Sequence, residues 1–519
     1  MKKGLLVLAG LLPLLSAFGV ERHFLEEARS AGVDWAHLDR GTDGWVFQRV
    51  RFRGIEASEA RVPLAWPLQV RVEGVDLDLA GWSGSAGGNT GSGGTTLDVQ
   101  LSDVGLRWGD RVLVSGLTGQ WDSEGLSLLG EGFSLNRGAG KTVVRMEMAS
   151  PFPEAAGLLR LSLELENAQG VLELESSTLA VKHSLLAKQP VELQDVSAKV
   201  HLDLARDTFA GVLKVGRVQL ELLGRFAEGV VDFRLELPRT PVEDVLAPLR
   251  SVVPEMESAH LVGSALGWME GSWPAGSWKG DADLQGFGVE GAVPRLQDLK
   301  YGPFDYRIRG EDGSWGLRTS GEGTEGWTPY RAIAPVLSDA VVAAEDSAFL
   351  VHSGYDMESM REAMAANLAK GQVVRGGSTL TQQLAKNLFL DGERTVVRKV
   401  RELLLAAEMD RALGKTRVME LYLNVVEWGP DFHGVKAASE RYFMRSPAGL
   451  QPHEAAFLAA ILPAPRTFYQ KWYLRDRAGE YRIDWVLGNM VDGKSLSPKE
   501  GDAWSRAPLR FVPPPVPKE

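Results

Sequence analysis

Near residue 321 the hydrophobic period of this chain changes from two to 3.6, and no single layer of secondary structure can satisfy both halves. Before that point apolar and polar residues alternate over residues 97–104, 158–166 (LLRLSLELE), 196–204 (VSAKVHLDL), 212–222 and 231–237, each run bounded by Gly, Asp, Asn or Pro. Alternation gives a sheet one apolar face, which must meet a second sheet, a helix or a lipid chain. A packed sandwich, the commonest solution, a curled sheet and an open lipid-holding groove all satisfy it. Residues 241–256 (PVEDVLAPLRSVVPEM) read as a short helix punctuated by Pro248 and Pro254, after which Trp268, Trp273 and Trp278 mark a return to strands. Residues 81–96 (GWSGSAGGNTGSGGTT) can bury nothing and are expected to form a flexible loop. Beyond residue 321 long Ala/Leu/Glu/Arg/Lys segments predict helices, and residues 508–519 (PLRFVPPPVPKE) predict an extended tail. With 519 residues, 44% of them hydrophobic, the chain can fill more than one core. The expected class is therefore multidomain α+β: an antiparallel β-rich part over 21–320, a mainly α part over 321–492, and a proline-rich tail over 493–519.

Charge and cysteine content narrow the chemistry. A net charge of -11 gives no basic face for phosphate neutralisation, so a nucleic-acid partner is not expected. The absence of cysteine excludes disulfides, thiol nucleophiles and Cys-ligated zinc. Lys2 and Lys3 precede an uncharged stretch over residues 4–20, which reads as an export signal or a membrane anchor. Spanning a bilayer takes roughly 20 apolar residues, with about 17 as the lower limit, so both readings stand. Either way the basic start stays inside and the body crosses.

Four blocks in the last third carry candidate chemistry. In AAEDSAFLVHSGYD (343–356) an apolar run delivers Glu345 and Asp346, followed by Phe349, His352 and Gly354. A carboxylate at the end of an apolar helix is partly desolvated, which raises its proton affinity and suits a general base. The second block is RGGSTLTQQLAKN (375–387). Its two glycines allow a tight turn, and Thr379 and Gln382 stand at capping-box spacing. Thr379, Gln383 and Asn387 share one helix face beside Gln382 and Lys386. With Arg375 and Lys386 flanking exposed helix N-terminal amides, this is a cradle for pyrophosphate and sugar, or else an ordinary capped surface helix. In the third block (VRKVRE, 397–402) Glu402 is flanked by Arg398 and Lys399 at i, i+4 and i, i+3, on a helix expected to stop at Gly414; solvated helical ion pairs have the same pattern. The fourth, ELYLN (420–424), is amphipathic and reads as mainly structural.

In this order and at these spacings the blocks resemble the signature of family 51 glycosyltransferases, the peptidoglycan polymerases, and most of all their monofunctional members. The resemblance covers residues 327–490, including Trp327-Thr328-Pro329, EAAFLAAILPAP (454–465) and RIDWVLGNM (482–490). No SxxK, SxN and KTG set follows, so no transpeptidase is expected. The resemblance implies a lysozyme-like helical domain at the periplasmic side of the bacterial cytoplasmic membrane, with an apolar face dipping into the bilayer. It implies Glu345 as catalytic base and Glu402 as the second essential carboxylate. Asp346, Phe349, His352, Ser378, Thr379, Gln382, Gln383, Lys386, Asn387, Arg398 and Lys399 would bind substrate, with a divalent cation, Mg2+ or Mn2+, near Glu402. The partners implied are lipid II, the growing glycan strand and the bilayer. The β-rich half, absent from ordinary monofunctional members, faintly resembles AsmA-like envelope proteins through its strand-helix-strand pattern.

Two other readings compete. A lytic transglycosylase also sets a glutamate in a lysozyme-like fold but needs no cationic pyrophosphate cluster. A non-enzymatic envelope scaffold that binds lipid through its β-rich half would not need Glu345 and Glu402 intact.

Overall fold

The computed structural model describes strand segments between residues 34 and 121, and then residues 126–513 apart from 139–140, 151–153, 167, 185, 228–229, 274–276, 311, 371–375, 393–394 and 476–478. The N-terminal segment 1–20, the Gly/Ser-rich stretch 81–96, Arg375 and residues 514–519 lie outside this description. Packing divides the chain into two units, Met1–Val252 with Ser264–Asp283, and Val253–Gly263 with Leu284–Glu519. The first is antiparallel β-sheet and the second is mainly helical.

The described strands before residue 291 form a three-stranded sheet, β1 (Asp34–Gly41), β2 (Gly44–Phe52) and β3 (Ile55–Val62), and a fourteen-stranded sheet running from β4 (Gln69–Val72) to β17 (Ser277–Glu290). Every strand of the large sheet pairs with its neighbours in sequence, so the architecture is one long meander and not the two-sheet sandwich. Alternation sets its register. In β10 (Ala155–Glu166) Leu159, Leu161, Leu163 and Leu165 are buried, and Leu161 and Leu163 stand opposite Leu174 and Leu172 of β11 (Gln169–Val181). The described core of this unit, from Phe133 to Leu235, consists of strand residues of this one sheet. Val200 and Val231 are almost completely covered, and Leu186 and Leu204, outside the strands, pack against the same core. Residues 212–222, read as one run, are two strands: Gly216, at φ +56°, makes a two-residue hairpin that sets Val215 opposite Val218. The helix expected after Pro241 is the short α1 (Val242–Leu246), which Pro248 and Pro254 convert into 3-10 turns.

The second unit begins earlier than the change of period. It includes α2 (Leu296–Tyr301) and the hairpin of β18 (Phe304–Arg309) and β19 (Trp315–Ser320). Leu299, Phe304 and Tyr306 belong to the same core as Leu337, Leu380, Leu405 and Phe457, so the hairpin is part of the helical body although its own pattern is that of a strand pair. The helices that follow are α3 (Pro335–Glu345), α4 (Met357–Lys370), α5 (Leu380–Phe389), α6 (Val396–Val425), α7 (Val435–Phe443), α8 (Pro452–Ile461), α9 (Pro465–Phe468), α10 (Glu480–Asp492) and α11 (Pro498–Ser505). Gly414, at φ +74°, interrupts α6, as its sequence position predicts. A tiny pair of strands, β20 (Glu427–Gly429) and β21 (Phe432–His433), links α6 to α7. Part of the stretch assigned to the tail is ordered: Ser497 and Glu500 form a capping box that starts α11, and Phe511 packs against Phe443 and Phe457. Among the described residues no helix is long and apolar enough to cross a membrane.

Helix α6 is gripped along its length by residues from before the hairpin. Arg401 makes a bidentate pair with Glu255 at 2.7–2.9 Å, and the buried Glu408 carboxylate accepts from the backbone N–H groups of Gly291 at 2.8 Å and Val293 at 2.6 Å. Arg417 donates to the Leu299 carbonyl at 2.8 Å. Replacing Glu408 by Ala strands two backbone donors, one of them fully buried, and should cost about 3 kcal/mol of stability in the helical unit. Denaturant unfolding followed by helical circular dichroism measures that loss.

Candidate active site

Helix α3 starts with proline at N1 and buries Leu337, Ala340 and Val341 completely. Its last residue is Glu345, and Asp346 leaves helical geometry at φ -161°. The apolar stem thus delivers one carboxylate at its tip and turns the next away. Burial pushes the Glu345 carboxyl above the usual glutamate range, and the neighbouring Asp346 charge adds to this. Opposing these, Gln383 Nε2 donates to Glu345 Oε2 at 2.9 Å, and Arg482 and Lys386 attract its ionised form.

Asp346 is buried and fully engaged. It accepts from Leu380 N–H, the first residue of α5, at 2.8 Å and lies 3.0 Å from His352 Nε2. Gly354 N–H donates to His352 Nδ1 at 3.1 Å, so the ring hydrogen sits on Nε2 and points at Asp346. Phe349 is buried under the Lys415 ammonium, which lies 4.7 Å from the ring centroid and donates to the His352 carbonyl and to Asp410. Gly354 is at φ +87°, and a Cβ there would meet the Ala406 carbonyl oxygen at 2.4 Å. Asp346, Phe349 and His352 therefore lock the loop after α3 onto α5 and α6.

The spacing read as a capping box is one: Thr379 Oγ1 accepts from Gln382 N–H at 3.2 Å, and Gln382 Oε1 accepts from Thr379 N–H at 3.1 Å. Thr379 also donates to the Gly354 carbonyl at 2.7 Å. Both side chains are buried in this network. The loop before α5 passes close to α4, since a Cβ on Gly377 would meet the Ser359 carbonyl oxygen at 2.8 Å.

At the start of α6, Thr395 caps the helix by accepting from Arg398 N–H at 3.1 Å. One turn in, the Glu402 carboxylate is 3% exposed, with Arg398 on one oxygen and Lys399 at 2.9 Å on the other. Lys399 also donates to Ser378 Oγ at 2.6 Å. Desolvation, then repulsion from Arg398 and Lys386, pushes the Lys399 ammonium down to about 8. Lys386 is likewise held below the ordinary lysine value by desolvation and by Arg398, although Glu345 pulls the other way.

A cleft of about 770 Å³ opens over this ground. Glu345, Asp346, Ser378 and Thr379 line it, with Gly376, Gly377, Trp485 and Asn489. Glu402 does not line it; Lys399 connects it to the cleft through Ser378, which lines the wall and accepts from the same ammonium that pairs with Glu402. Gln383 reaches Glu345 from α5, whereas Asn387, a further turn along, is half-buried and outside the lining. Two participants went unread as site residues. Arg482 lies in RIDWVLGNM, and Tyr422 sits in the block read as mainly structural; their relation to Glu345 spans 137 and 77 positions and leaves no local mark. The rest of that block does hold structure: Asn424 takes Thr328 N–H at 2.8 Å and donates to its carbonyl at 2.9 Å.

A family model described as Transglycosylase matches residues 316–491. The chain is 46% identical over 151 residues to a biosynthetic peptidoglycan transglycosylase of Thiobacillus denitrificans, covering 29% of this chain and 63% of that protein. It is 48% identical over 147 residues to the like-named protein of Ralstonia nicotianae, covering 28% and 63%, and 43% identical over 169 residues to that of Alcanivorax borkumensis, covering 32% and 69%. A penicillin-binding protein 1A structure from Haemophilus influenzae aligns with 40% of this chain and 21% of that one at 21% identity, with a TM-score of 0.22. The class defined by the matching model and relatives is that of the transglycosylases of peptidoglycan. The chain belongs to this family, and it spans 63% of the length of the Thiobacillus and Ralstonia relatives.

Asp346→Asn would set an amide N–H against one of the two donors now held by the carboxylate. It should cost about 2 kcal/mol, measured as a lowered denaturation midpoint, with the Leu380 amide losing hydrogen-exchange protection.

Proposed function

We propose that the helical unit is a peptidoglycan glycosyltransferase that polymerises lipid II into β-1,4 glycan and releases undecaprenyl pyrophosphate. The observation that carries this reading is a desolvated carboxylate, Glu345, beside a cleft whose wall residue Ser378 is tied to the cations around Glu402. The acceptor's 4-hydroxyl must lose its proton as it attacks the anomeric carbon of the donor sugar. Ionised Glu345 takes that proton, and its raised proton affinity makes it a stronger base than a solvated glutamate. The attack inverts an α-linkage to β in a single displacement. Charge then builds on the departing diphosphate, where Lys386, Arg398 and Lys399 supply fixed positive charge in a partly desolvated setting. Ser378 faces the bound sugars and phosphates from the cleft wall, while buried Thr379 and Gln382 fix the start of α5 and Gln383 and Asn387 lie beyond them on that helix.

Both Glu402 oxygens face cations, so this carboxylate anchors Arg398 and Lys399 and offers no open coordination edge. No step is assigned to a divalent ion there. Leu350, 72% exposed, and Trp485, 48% exposed, line the cleft, and Val351 next to them is 84% exposed. An apolar rim of this kind suits a lipid-linked substrate drawn from the outer leaflet of the cytoplasmic membrane, with the 1–20 segment as export signal or anchor. The helical unit is on this reading lysozyme-like in fold. A glycan-cleaving enzyme would leave the cation cluster without a task, and a scaffold would have no use for the Gln383–Glu345 pair.

Glu345→Gln should lower lipid II polymerisation at least about a hundredfold while leaving the circular dichroism spectrum and melting temperature near those of the parent; full activity in this variant would remove the base assignment. A second expectation concerns pH. The base works ionised and its pKa lies above the ordinary 4.5, so the acid limb of kcat/KM should fall above pH 4.5. Lys399 works protonated, so the alkaline limb should fall near pH 8. Initial rates on labelled lipid II across the pH range test both limbs.

A further inference from the structure

Tyr422 is fully buried in α6, in a block with no evident chemical task, yet its phenol lies one side chain away from the proposed base. Its O–H donates to Gln383 Oε1 at 3.0 Å, and the Nε2 of the same amide donates to Glu345 Oε2 at 2.9 Å. A primary amide has a donor end and an acceptor end, and rotation by half a turn exchanges them. With its nitrogen toward Glu345 the amide stabilises the carboxylate. With its oxygen there it repels the carboxylate and accepts from the protonated acid. Whichever group fixes the amide therefore fixes the preferred protonation state of Glu345.

We propose that Tyr422 is a positioning residue for the base: its phenol O–H holds the Gln383 amide in the orientation that turns an N–H toward the Glu345 carboxylate. The phenol is suited to the task, because desolvation and the nearby Glu345 and Asp346 charges push its own ionisation well above the usual tyrosine range. It remains a donor throughout the working pH range. The charged groups acting on Glu345 come from each neighbouring element: Asp346 beyond α3, Lys386 on α5 and Arg482 on α10. None of them can orient the amide as Tyr422 does, since none bonds its oxygen. The sequence of bonds also links three of the blocks, with the base in the first, the amide in the second and the phenol in the fourth.

The inference rests on Glu345 being the base, and two readouts keep the ideas separable. In the full-length protein Tyr422→Phe should move the acid limb of kcat/KM upward by roughly half a pH unit or more, with the rate on the plateau and KM within about threefold of the parent. Gln383→Leu, which removes the hydrogen bond to the carboxylate itself, should move it by about one unit or more in the same direction. The control is Tyr442→Phe. Tyr442 is an equally buried tyrosine of this unit whose O–H donates to the Trp428 carbonyl at 2.7 Å, so its loss reports a merely structural effect and should leave the limb unmoved. Independently of turnover, the 13C-carboxylate resonance of Glu345, identified by its loss in Glu345→Gln, should titrate at higher pH in Tyr422→Phe. An unmoved Glu345 titration in a folded Tyr422→Phe protein overturns the proposal, as does an equal shift in Tyr442→Phe. A shifted titration in a protein whose Glu345→Gln variant still polymerises would uphold the relay and overturn only the base reading.

Discussion

The site depends on keeping a negative charge inside protein. Helix α3 carries Glu345 to the cleft on a stem whose Leu337, Ala340 and Val341 are wholly covered, and that packing strips water from the carboxylate. Left alone, such a group takes up a proton and ceases to be a base. The Gln383 amide and the attraction of Arg482 and Lys386 work against that outcome, and the balance leaves the proton affinity raised. The neighbouring Asp346 is buried, with its oxygens taken by Leu380 N–H and His352, so it serves as a clamp. Two adjacent acids are assigned different tasks by what bonds to them.

Helix α6 gives the second half of the site its geometry. Arg398, Lys399 and Glu402 sit at its start, Tyr422 and Asn424 near its end, and Gly414 lets the two stretches take different directions. Desolvation, and then repulsion from Arg398 and Lys386, lowers the Lys399 value, and one buried carboxylate holds Arg398 and Lys399 together. The helix is in turn fixed by Glu255, Gly291, Val293 and Leu299, which all precede the part of the chain that the family model matches. Residues 253–263 and 284–315 are thus structural members of the helical unit.

Much of this was legible in the residues. The strand pattern gave the meander its buried face, the Thr379–Gln382 spacing gave the start of α5, Gly414 gave the break in α6, and the ordered blocks gave the family. The sheet's topology was not legible, because alternation marks an apolar face without saying what covers it. The true start of the helical unit was hidden as well, since Phe304 and Tyr306 sit in a strand pair whose local pattern belongs to the other half.

Sequence alone determined which residues have polar or charged side chains at helix ends, and in what order, because caps, periods and i, i+4 neighbours act over a few positions. Tertiary structure alone decided which of those side chains line the cleft and which are spent on one another. Phe349 and His352 turn inward, Glu402 pairs with Arg398 and Lys399, and Tyr422 reaches Glu345 through Gln383. Each of these outcomes depends on desolvation and on hydrogen bonds between segments far apart in the chain, and both arise only when the helices close around a common core.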